Sequence, residues 1–141
     1  MRRLLVIVAA LTVAAPALAQ DEPTDPVMAR YTPGYDKCLE SPEGGSTAGM
    51  IGCIGQELEI QDKALNAAYA KAMGDLNDRQ KAKLRTAQKA WIAFRDADCA
   101  SLQDEDWGTL SRIDANACIL RMTVERTIYL ETYPEPAEGG D

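Results

Sequence analysis

Between residues 46 and 133 the apolar positions recur every three or four residues, the period of a helix, and no stretch alternates as a strand would. Three amphipathic segments follow. The first starts at Ser46 or Thr47, residue types that cap helix N-termini, and carries Met50, Ile54, Leu58, Gln61, Leu65, Ala68, Ala72 and Leu76 on one stripe, with Glu57 on its shoulder. Gly49, Gly52 and Gly55 weaken its first turns by about 1 kcal/mol each relative to alanine, so this end is expected to lean on close packing or on a disulfide at Cys53. The second segment, roughly residues 79–102, follows a short connection in which Asn77 and Gln80 have the spacing of a reciprocal capping pair. The third is expected to take Asp114 as its N-cap and to present Cys118, Ile119, Met122, Arg126, Tyr129, Leu130 and Tyr133 on one face until Pro134 stops it. Short connections make antiparallel neighbours, so the pattern predicts an all-α fold, an antiparallel bundle of three helices stapled by disulfides.

The second segment says most about its surroundings. Leu84, Gln88, Trp91, Arg95 and Leu102 share one helical stripe, so an amide and a guanidinium face inward with leucines and an indole. A guanidinium in that company needs a partner, because unpaired charge is rarely buried. Glu57 is the first candidate and Glu125 the second. Glu57, Gln88, Trp91, Arg95 and Arg126 are therefore expected to form a buried polar cluster, for which core packing with one satisfied ion pair outweighs a ligand cleft. The segment runs out into Asp104, Glu105, Asp106 and Trp107, an acidic loop with an aromatic tip, and then Gly108, which suits a tight turn. This is the candidate partner-binding loop. Its competing reading is a solvated loop whose indole folds back on the bundle.

The ends of the chain read differently. Met1-Arg2-Arg3, the apolar run from Leu4 to Ala15, Pro16 and Ala17-Leu18-Ala19 have the form of a signal peptide over residues 1–19, cleaved before Gln20, which places the protein in the periplasm or outside the cell. The run is too short for a membrane span, and no later apolar stretch approaches the about 20 residues that a span needs. Residues 20–45, with Pro23, Pro26 and Pro33 among acidic and polar residues, read as an extended lead-in with a short turn around Cys38; residues 46–133 form the helical domain and residues 134–141 a disordered acidic tail.

Four cysteines in an exported chain point to two disulfides. Three connectivities are open; Cys38 with Cys53 and Cys99 with Cys118 is favoured, because each pair closes a loop of about 15 to 20 residues across a glycine-bearing connection, worth on the order of 3 kcal/mol. The spacings are not those of a zinc site and the chain has no histidine, so neither a metal nor a cofactor is expected. Without an imidazole, and with its thiols oxidised, the chain lacks the means for serine- or cysteine-type catalysis. Carboxylate chemistry by Glu57, Asp62, Asp96 and Asp98 is a remote alternative, since a small bundle offers little cleft for a glycan. Removing Arg2 and Arg3 leaves 13 basic residues against 22 acidic ones, a net charge near −9 that disfavours nucleic acid and anionic membranes as partners and favours a cationic protein.

The central stretch Ala87-Gln88-Lys89-Ala90-Trp91-Ile92-Ala93-Phe94-Arg95-Asp96-Ala97-Asp98-Cys99 resembles the signature of the LprI-like lysozyme-inhibitor family of small secreted helical domains. The resemblance extends through Cys38, Cys53, Glu57, Asp62, Leu65-Asn66, Tyr69, Gly108-Thr109-Leu110, Cys118, Thr123 and Arg126. Two departures stand out: Trp107-Gly108 replaces a paired glycine, and Gln20 stands where the family's lipoprotein namesake carries a cysteine. The resemblance implies a non-enzymatic, exported protein-binding module that inhibits lysozyme, a small basic glycan hydrolase. A small envelope protein of structural or stress role with another partner is the alternative.

Overall fold

The computed structural model describes residues 25–133; the expected signal peptide and acidic tail lie outside them. Four α-helices follow one another: α1, Pro33–Glu40; α2, Thr47–Gly74; α3, Asp78–Ala100; and α4, Leu110–Glu131. Short 3-10 turns precede α1 at Met28–Arg30 and lie in the connections α1–α2, at Glu43–Gly45, and α3–α4, at Glu105–Trp107. There is no strand among the described residues. The fold is all-α, as the periodicity predicts, but with four helices rather than three.

The additional helix is α1, expected only as a turn. Thr32 caps it, accepting a hydrogen bond from the Tyr35 amide, and Pro33 occupies its first position, where a missing N–H costs nothing. The lead-in before it also departs from the extended reading. Val27 is buried, Arg121 Nη1 donates to Asp25 Oδ2 at 3.0 Å, and Arg30 Nη1 donates to Glu131 Oε1 at 2.9 Å. One apolar side chain and two ion pairs thus strap a polar segment onto α4.

The caps of α2 and α3 follow the sequence. Ser46 Oγ accepts from the Gly49 amide at 3.0 Å, and Asn77 and Gln80 exchange hydrogen bonds of 3.0 and 3.1 Å. A Cβ on Gly49 would stand 1.6 Å from the Glu43 carbonyl oxygen, and one on Gly44 2.4 Å from that of Cys38. The turn after α1 therefore presses directly on the first turn of α2, beside the Cys38–Cys53 disulfide, which is how a glycine-weakened helix start is held.

The start of α4 differs from expectation. Thr109 is its N-cap and Asp114 lies inside the helix. Gly108, at φ +73°, turns the chain so sharply that helix can begin at once, and the Ser111 hydroxyl, 2.7 Å from the Gly108 carbonyl and 3.0 Å from that of Asp104, ties the new helix to the loop. The deep face of α4 is also rotated from the expected one. Leu120, Thr123, Val124, Thr127 and Leu130 are buried, whereas Ile119, Met122 and Arg126 lie on its half-buried flank and Tyr129 is exposed.

The most extensive contact is α2 against α4, with α3 running antiparallel along α4: Leu84 meets Leu130, Gln88 meets Arg126, and Cys99 is bonded to Cys118. At the end where α2 turns into α3, Leu65, Ala68, Ala72, Leu76, Leu84 and Leu130 form the core cluster, with Tyr69, Met73, Trp91 and Tyr133 packed around it. Each large aliphatic side chain buried there is worth roughly 1.5–3 kcal/mol. Along α3 itself only Leu84 and Cys99 are fully buried.

Candidate functional site

Trp91 organises the seam between α3 and α4. Its ring lies 5.2 Å from the Arg95 guanidinium carbon and 5.6 Å from that of Arg126, which is also 4.9 Å from the Tyr129 ring. Arg126 Nε donates to Gln88 Oε1 at 2.9 Å, and Arg95 Nη1 to Thr123 Oγ1 at 3.2 Å. Gln88, Trp91, Arg95 and Arg126 therefore stand together. Aromatic faces and neutral oxygens hold Arg126, and they share Arg95 with the exposed Asp96 carboxylate; each cation–ring contact is worth about 0.5–1 kcal/mol where exposed and more where desolvated. Burial lowers the Arg126 pKa from the ordinary guanidinium value.

Glu57 is not part of this seam, and neither expected partner reaches Arg95. Arg95 pairs with its chain neighbour, Nη2 donating to Asp96 Oδ1 at 2.8 Å, while Glu125 accepts from Arg121 one helical turn away. Glu57 sits in the N-terminal half of α2, against the N-terminal end of α1. It is 1% exposed and accepts three hydrogen bonds: from the Thr32 amide at 3.0 Å, the Thr32 hydroxyl at 2.6 Å and Gln61 Nε2 at 2.7 Å. The same Gln61 nitrogen donates to the Arg30 carbonyl at 2.8 Å. A carboxylate at the N-terminal end of α1, satisfied by neutral donors, thus fastens the lead-in to α2. The helical stripe alone does not assign Glu57 its partner, which depends on α1; the sequence signal for that helix is Thr32-Pro33, a cap followed by proline at the first position.

The four carboxylates considered for glycan chemistry are not assembled. Glu57 lines a cleft of about 110 Å³ with Thr32, Tyr35 and Gln56 that includes none of the other three. Asp62, Asp96 and Asp98 are exposed, and Asp62 accepts from Asn66 at 3.0 Å. Burial, and next the charge of Glu57, raise the Tyr35 phenol pKa above its ordinary value.

The acidic loop spans the two ends of the Cys99–Cys118 disulfide. Asp104 Oδ1 accepts from the Asp106 amide at 2.8 Å, and the Asp104 carbonyl accepts from Ser111, so the loop has a defined shape. Trp107 does not fold back: it is 63% exposed, and Leu110 on the same connection is 62% exposed. Between the loop and α4 lies a depression of about 420 Å³ lined by Gln103, Asp104, Glu105, Gly108, Thr109, Ser111 and Arg112.

No group of metal-binding side chains and no helix long and apolar enough to cross a membrane occurs among the described residues. What the fold presents is a small disulfide-stapled helical module with satisfied polar clusters inside and an aromatic, acidic loop outside. The family described as lysozyme inhibitor LprI matches residues 38–130, and the chain belongs to that family. No curated protein and no solved structure matches it. Membership implies an inhibitor-like, protein-binding role rather than catalysis, and together with the two disulfides it is consistent with an extracytoplasmic protein.

Proposed function

We propose that this protein is an exported inhibitor that binds a basic, lysozyme-type glycan hydrolase through the loop at Asp104, Glu105, Asp106 and Trp107. The observation that carries the reading is the exposure of Trp107 and Leu110 beside three acids, on a connection between two helices that a disulfide joins. Exposed aromatics ringed by polar groups are the usual anchors of protein interfaces, and a loop already held in shape loses little entropy on binding. The acids supply the complement, since an acidic surface steers a cationic enzyme and raises the association rate.

The test is lysozyme turnover on cell-wall substrate with the oxidised protein in excess, at two salt concentrations. Inhibition is expected, with association slowed as salt shortens the reach of exposed charges to the Debye length of about 8 Å at physiological ionic strength. Replacing Asp104, Glu105 and Asp106 by their amides should slow association further. Full enzyme activity at every concentration, with no binding at low salt, would remove the lysozyme reading and favour an envelope protein with another partner.

A further inference from the structure

The outward face of α3 is uncovered along its whole length. Ala82, Thr86, Ala90, Ala93, Ala97 and Ala100 all stand exposed there; beside them Phe94 is 58% and Ile92 39% exposed. Small residues let a second helix approach closely, but they do not say which helix. The charges do. Exposed Arg79, Lys83 and Lys89 lie on or beside the strip in the N-terminal half of α3, against the single acid Asp78, whereas exposed Asp96 flanks it in the C-terminal half, where the one basic residue, Arg95, is half-buried and paired with Asp96. A helix basic in its first half and acidic in its second is complementary to its own reversed copy.

We propose that this face of α3 is the contact of an antiparallel, two-fold symmetric homodimer, with the axis passing near Ala93. Lys89 and Asp96 lie two turns apart on the same flank of the strip and about equally far from Ala93, so Lys89 of each copy meets Asp96 of the other, twice by symmetry. Both hydrogen bonds from Arg95 fall on Asp96 Oδ1, which leaves Oδ2 for the incoming ammonium. A parallel arrangement would set basic half on basic half, and the excess of acid over base in the whole chain makes unspecific pairing unfavourable. The antiparallel pair brings Phe94 of both copies to one edge of the contact at its middle, and Ala90, Ala93 and Ala97 allow the backbones to come close.

Sedimentation equilibrium of the oxidised protein from micromolar to millimolar concentration tests this directly. A reversible monomer–dimer equilibrium is expected. Lys89→Glu should weaken it by about tenfold, because two attractive pairs become repulsive, and combining Lys89→Glu with Asp96→Lys should restore it. All four native cysteines are paired, so a thiol introduced by Ala93→Cys is the only free one; it should form a disulfide-linked dimer far faster than Gly55→Cys on the exposed surface of α2. A single-chain mass across the whole range, a dimer indifferent to Lys89→Glu, or equal cross-linking of the two cysteine variants would overturn the proposal.

Discussion

The two polar clusters inside the protein solve opposite problems. Around Glu57 a carboxylate is fully buried and every contact it accepts comes from a neutral donor; around Trp91 two cations are held half-buried against ring faces, an amide and a hydroxyl, with the exposed Asp96 carboxylate as the ionic partner of Arg95. The first cluster joins three chain segments, Arg30–Thr32, α1 and α2, so loss of one group leaves the others unsatisfied. The second lies along one seam, and solvent can compensate its parts. A polar side chain on an apolar stripe is therefore a structural keystone in one case and a local packing device in the other, and what separates them is how many segments converge on it.

That contrast ranks the mutants. Glu57→Ala should cost about 3 kcal/mol, by orphaning the Thr32 amide and Gln61 in a closed site, and should expose the amides of α1 to hydrogen exchange. A melting temperature within a degree of the parent would break the contrast. Replacing both Cys99 and Cys118 by serine should cost a similar amount, about 3 kcal/mol for a loop of 19 residues, and should free the thinly packed end of α3 rather than α1. Arg95→Ala should cost only about 1 kcal/mol, less than for a guanidinium stranding a buried carboxylate, because Asp96 remains solvated. A loss of 3 kcal/mol or more there would make the two clusters alike after all.

Acid should loosen the strap that holds the lead-in to α4. The hydrogen bond from the Val27 amide, then that from Arg121, lowers the Asp25 pKa, and the hydrogen bond from Arg30 lowers that of Glu131. Groups with depressed folded pKa values contribute stability that is complete above their ordinary carboxylate range and is lost as pH falls through the folded values. The segment Asp25–Arg30 is thus expected to loosen from α4 below about pH 4, read as faster proteolysis near Met28 with α2 and α4 still helical. Trp107→Ala should be the smallest effect on stability, within about 0.5 kcal/mol, since the indole is exposed.

Much of this was legible in the chain. The Ser46 cap and the Asn77–Gln80 exchange are local features set by residue type and spacing and stand where the pattern puts them; of the stripe on α2, Ile54, Gln61, Leu65, Ala68 and Ala72 are buried as expected, Met50 and Leu58 are half-buried, and Glu57 lies deeper than its shoulder position implies. Of the three connectivities that the sequence leaves open, the structure has the sequential one that the loop lengths favour. What was not legible depends on elements meeting across distance. Glu57 faces α1 rather than Arg95 because an eight-residue helix hidden behind Pro33 and Gly34 covers that side of α2. The inward face of α4 turned toward Thr123, Val124 and Thr127 because threonine hydroxyls bond back to carbonyls one turn earlier and bury without cost, which a hydrophobic stripe does not register. Asp114 has the chemistry of a cap, but Gly108 fixes the helix start one turn sooner.

In the proposed reading the exposed loop binds the partner and the two interior clusters serve the fold. The most direct test is the dissociation rate of the oxidised protein from immobilised lysozyme, measured for the parent, Trp107→Ala and Arg126→Lys, each first checked for an unchanged helical spectrum. Trp107→Ala should speed dissociation about thirtyfold, as expected for an anchor worth about 2 kcal/mol, while Arg126→Lys leaves the rate within about twofold. Parental dissociation for Trp107→Ala, or a loss of binding confined to Arg126→Lys, would contradict the account and move the interface to the seam between α3 and α4.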